Sequence, residues 1–141
     1  RADLARNLQS LSFTFQDARS HVLQAIRPLI LEMTNRLLPE VARQSLGPTV
    51  LDALMPLAET LGDAPLTLVL NPAVRDRVEG LVAQATGLPM VIEEEPSLSE
   101  GQVYIRLGGS EQKVDLDRVT ADITAAVRGF FNLSEKDAPH G

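Results

Sequence analysis

The chain has 141 residues, enough for one domain with a real core, and its 19 acidic against 13 basic side chains give a net charge of -6. That balance argues against a nucleic-acid partner, and the absence of cysteine excludes disulfides, thiolate metal sites and a cysteine nucleophile. Tryptophan is absent and aromatics make up 4% of the chain, so binding through aromatic anchors is not expected.

No run approaches the ~20 apolar residues of a membrane span, and no signal peptide is visible. The first residue is Arg1 rather than Met, which points to a fragment of a longer protein. The expectation is an intracellular, soluble protein.

The first third, Leu4 to Leu46, reads as one long amphipathic helical segment. Leu4, Leu8, Leu11, Phe15, Ala18, Val22, Ala25 and Leu29 follow one another in alternating steps of four and three. That is the heptad seam of helices that wrap a partner. After Leu29 the steps become four throughout, by way of Met33, Leu37 and Val41, so the stripe slides around the helix and a left-handed supercoil unwinds. The pattern predicts a pairing helix that leaves its partner and becomes the floor of a small head. Pro28 and Pro39 each remove a backbone donor at a cost of about 3 kcal/mol and predict kinks. Gly47 predicts the end of this helix, and Pro48 the start of a second one running to Leu61.

From Ala64 the period changes to two. Leu66, Leu68 and Leu70 point one way, with Thr67 and Val69 the other, which predicts a strand. Asn71 then caps a helix with Pro72 at its first position, an apolar face of Val74, Val78, Leu81, Val82 and Ala85, and a stop at Gly87. A second strand covers about Leu88 to Glu94, followed by the loop EEPSLSEG. A third strand covers Gln102 to Leu107, and Gly108-Gly109 predicts a tight hairpin with positive φ at both positions. The return strand covers about Glu111 to Val114. Asp115 or Asp117 caps the last helix, whose expected inner face is Leu116, Val119, Ile123, Val127 and Phe130. The predicted class is α+β: a long helical segment, then a head with a four-stranded mixed or antiparallel sheet covered by helices. The predicted divisions are 1–47, 48–133 and a flexible tail, 134–141.

No constellation for chemistry emerges. The Gly-Gly pair is not followed by Gly-Lys-Ser/Thr, so it is no phosphate cradle. His21 lies at the edge of the seam and His140 in the tail, neither with a partner at metal-ligand spacing. Ser97, Ser99, Ser110 and Ser134 lack a nearby histidine and a nucleophile elbow. Asp115 and Asp117 are accounted for by capping, and Asp122 by exposure. Of Glu93, Glu94 and Glu95, strand alternation puts only Glu93 and Glu95 on one face, where a solvated strand end is the bland expectation and a contact for a basic partner the alternative. The expectation is a protein without catalytic residues, metal or cofactor.

Three stretches carry a resemblance: LTLVLNPAVRDRVEGLV (Leu66 to Val82), EEPSLSEGQVYIRLGG (Glu94 to Gly109) and VDLDRVTADI (Val114 to Ile123). Residues from about 17 to 131 resemble the C-terminal part of the flagellar assembly protein FliH family. That family is related to stator proteins of type III secretion and to the peripheral-stalk E subunit of vacuolar-type rotary ATPases. Glu95 stands where the family usually has aspartate and Val103 where it often has cysteine. The Gly-x-x-x repeats of the family's long helix are absent. The resemblance implies a cytoplasmic, non-enzymatic regulator at the periphery of the membrane export apparatus. Such proteins form homodimers, hold the export ATPase by its N-terminal segment, restrain its activity, and link it to the export apparatus through a preceding N-terminal region. Residues 1–47 would then serve dimerisation and head packing, and the head would bind the ATPase. The grip expected is a shallow apolar groove lined by head helices and rimmed by Glu93, Glu95 and Glu100. The rival reading is a structural peripheral-stalk subunit of a rotary ATPase.

Overall fold

The structure, a computed structural model, describes residues 2–137. Helix α1 spans Ala2–Leu61, strand β1 Leu66–Leu70, a 3-10 turn Pro72–Val74 and helix α2 Arg75–Thr86. Strands β2 (Met90–Glu94), β3 (Gln102–Leu107) and β4 (Ser110–Asp115) follow, and helix α3 covers Leu116–Asp137. The fold is α+β, as expected. The chain divides into two compact units. One is Leu38–Asp122, and the other takes the flanking segments, up to Leu37 and from Ile123 onward. The division therefore falls inside the long helix rather than at Gly47.

In the unit Leu38–Asp122 the sheet order is β2-β1-β3-β4, with β1 and β2 parallel and the other pairs antiparallel. Pleating puts Leu66, Leu68 and Leu70 on one face, opposite Leu107, Ile105 and Val103 of β3. On that face they join Leu46, Val50 and Leu54 of α1 and Val78 and Val82 of α2 in one closed core. Each such side chain contributes about 1.5–3 kcal/mol through the apolar area it removes from water. The opposite face carries Val91, Glu93, Tyr104, Arg106, Glu111 and Lys113.

The local signals that held are those with a single physical demand. Asn71 caps the 3-10 turn Pro72–Val74 that leads into α2, rather than α2 itself: its Oδ1 accepts from Ala73 N at 2.8 Å, and its Nδ2 donates to the Leu98 carbonyl, also at 2.8 Å. Gly87 adopts φ 63° and ends α2. Leu107 and Ser110 pair across a two-residue hairpin, but only Gly108 has positive φ (60°), a demand met by a II′-type turn rather than one with both residues left-handed.

Several expectations are corrected. Gly47 and Pro48 do not end α1, which runs unbroken through Pro28, Pro39 and Pro48. These three prolines are exposed, as are Gln24, Asn35 and Gln44, the residues four positions earlier whose carbonyls lose a helical donor; α1 also continues through Pro56. Gly47 is buried, and a Cβ there would lie 2.8 Å from Leu81 Cδ2. It is a point of close helix approach, not a stop. Met33, Leu37 and Val41 do not become the floor of the head and stay more than half exposed. A different stripe, Leu38, Ala42, Leu46, Val50 and Leu54, turns inward. In α3 the inner face is Thr120, Thr124, Val127 and Phe131, while Val119, Ile123 and Phe130 stay exposed. In α2, Ala85 is exposed. Helix α3 also carries on through residues 134–137, where a tail was expected; His140 lies outside the described residues.

The loop between β2 and β3 is locked to the start of α3. Leu116 N donates to the Gly101 carbonyl at 2.9 Å, and Ser99 Oγ donates to Asp117. A Cβ on Gly101 would stand 3.0 Å from Asp117 Cγ and 3.3 Å from its backbone nitrogen. Gly101→Ala should therefore lower unfolding free energy by about 1–3 kcal/mol in urea titration. The loss should shrink in an Asp117→Ala background. Equal losses in both backgrounds would show that the crowding at Asp117 is not the cause.

Candidate interaction surface

Every residue of the seam Leu4 to Leu29 is exposed. The large ones, Leu4, Leu8, Leu11, Phe15, Val22 and Leu29, keep between 56% and 67% of their surface open. Within this unit, nothing among the described residues covers the seam. The half-buried side of α1 in this unit is another one, containing Leu23, Arg27, Ile30, Leu31 and Thr34. There Arg27, Leu31 and Asn35 line a depression with Arg128, Phe131 and Asn132 of α3, and Phe131 is buried. Residues 2–19 of α1 are exposed all round. The seam is thus a periodic row of large apolar side chains left in water along a regular helix. His21 is exposed beside this row.

The candidate rim residues are not brought together. Glu93 lies on the outer sheet face, where Arg106 pairs with it at 3.3 Å and with Glu111 at 2.8 Å. Glu95 lies past the end of β2 and accepts from Ser97 Oγ at 2.5 Å and Ser97 N at 3.2 Å. These bonds hold the Glu95 carboxyl below its ordinary range. Glu100 lines a depression with Pro39, Ala42, Arg43, Asp117 and Thr120. The neighbour pattern of strand alternation missed this, because β2 stops at Glu94 and the next carboxylate belongs to a turn.

An apolar groove of about 410 Å³ lies elsewhere in the same unit. Ala64, Pro65, Leu66, Leu88, Pro89 and Met90 line it, together with Gly62, Asp63 and the exposed Val91. Strand ends and the exit of α1 form it, rather than helix faces, and Asp63 is its one carboxylate. Its signal in the sequence was the pair of proline-containing entries to β1 and β2.

Among the described residues no group of His, Cys, Asp or Glu could hold a metal ion, and no helix is long and apolar enough to cross a membrane. Asp115 caps α3, its Oδ1 accepting from Arg118 N at 3.0 Å, while Asp117 is engaged by Ser99. No protein-family model and no curated protein matches this chain.

Burial pushes the Asp115 carboxyl up, but Arg118 N–H, the Gln102 amide and the Lys113 ammonium outweigh it and hold it below the ordinary aspartate value. A group whose folded pKa is depressed stabilises the fold above its unfolded pKa, and that contribution disappears as pH falls through the folded value. Urea unfolding between about pH 5 and pH 2 should thus show stability falling with acid, less steeply in Asp115→Asn. Parallel curves for the two proteins would remove Asp115 from the acid response.

Proposed function

We propose that this chain is a non-enzymatic, dimeric adaptor of the FliH type. Two copies join through the seam Leu4 to Leu29, and each sheet unit holds the amphipathic N-terminal helix of a flagellar or type III export ATPase. The observation that carries the reading is the exposed heptad row on α1. Burying such a row requires a partner helix, and a repeat this regular suits a second copy of itself. The order of elements after α1 agrees with the resemblance, which supplies the identity of the ATPase. By holding that segment the adaptor would restrain turnover and tether the ATPase, in the cytoplasm, to a membrane export apparatus.

The seat for the ATPase helix is the groove beside Val91. An apolar face presented at helical spacing fits a trough lined by Ala64, Pro65, Leu88 and Met90. Glu93, Glu95 and Glu100 are engaged in other contacts or lie by another depression, and are not needed for the grip.

Fluorescence anisotropy with a labelled N-terminal peptide of the export ATPase from the same organism tests the assignment. Saturable binding in the micromolar range is expected, weakened roughly tenfold or more by Val91→Asp without loss of fold. A peptide that fails to bind the folded parent at high micromolar concentration would overturn the ATPase assignment.

A further inference from the structure

The exposed apolar surface of the flanking unit is not confined to α1. On α3, Ile123, Ala126 and Phe130 are exposed, and each immediately precedes a residue turned inward: Thr124, Val127 and Phe131. The same offset holds on α1, where Ile26, Leu29 and Met33 precede Arg27, Ile30 and Thr34. Pro39, Ala42 and Arg43 of α1 line one depression with Asp117, Thr120 and Ala121 of α3, and Arg27, Leu31 and Asn35 line another with Arg128, Phe131 and Asn132, so residue numbers fall along α1 as they rise along α3. The two helices therefore run in opposite chain senses. For antiparallel helices packed on one another, an equal offset in the same rotational sense brings both outer stripes to one side of the pair.

We infer that a second copy of this chain covers both stripes, so that the dimer is a two-helix contact near Leu4 and a four-helix contact around Met33 and Phe130. The inference rests on the dimer proposed above and assigns α3 a part in it. Two further observations favour a second copy as the occupant. After Leu29 the apolar steps on α1 no longer fit a two-stranded supercoil, yet Met33 and Leu37 are still exposed. A face two helices wide accommodates that drift, as in bundles. The area also suits. Seam and α3 stripe together offer on the order of 800 Å² of apolar surface per chain, what a stable interface buries on each side.

The chain has no cysteine, so single thiols report unambiguously. Phe130→Cys should be alkylated at least tenfold more slowly in the dimer than in a Leu11→Glu/Val22→Glu background that holds the chain monomeric. Ile123→Glu/Phe130→Glu should raise the dimer dissociation constant tenfold or more in sedimentation, with unchanged far-ultraviolet circular dichroism. Equal alkylation rates, or parental dimer strength in the glutamate variant, would overturn the role of α3 and leave the α1 dimer standing. A parent chain that stays monomeric at high micromolar concentration would overturn both.

Discussion

Everything in the sheet unit depends on the closeness with which α1 lies against it. Leu46, Val50 and Leu54 close the core over β1 and β3, and bare Gly47 lets Leu81 of α2 approach the helix backbone. A side chain at that position would force the Leu81 side chain to move. The same helix continues without interruption into a segment whose seam residues, Leu4 to Leu29, are exposed. One element thus supplies a wall of the core at one end and an unsatisfied surface at the other.

This explains why the sequence was legible in parts. Strands β1 and β3, the Asn71 cap and the Gly87 stop each follow from one local requirement that no distant contact overrides: alternation, a side-chain acceptor, a left-handed backbone. Gly47-Pro48 carries the same local signature as a helix end, but the deciding fact is the position of Leu81, which no local pattern contains. The faces of α3 were misassigned for a related reason. Val119, Ile123 and Phe130 form the more apolar stripe, and periodicity alone cannot separate a stripe that meets its own chain from one that meets another. The side turned inward contains two threonines and Phe131.

The candidate site divides in the same way. The heptad row was readable because spacing is all that it needs. The groove beside Val91 was not, since it forms where the exit of α1 meets the entry to β2, and only the sheet register brings those segments together. The glutamates were conspicuous as a charge run, yet Arg106 and Ser97 engage two of them as structural partners. A charged cluster is informative about binding only once its own neighbours are known.

Sedimentation velocity of the chain across micromolar concentrations most directly tests whether the α1 seam holds a second copy. A concentration-dependent shift from monomer to dimer, abolished by charge at Leu11 and Val22, is expected. A single monomeric species at high micromolar concentration, with α1 still helical by circular dichroism, would contradict it.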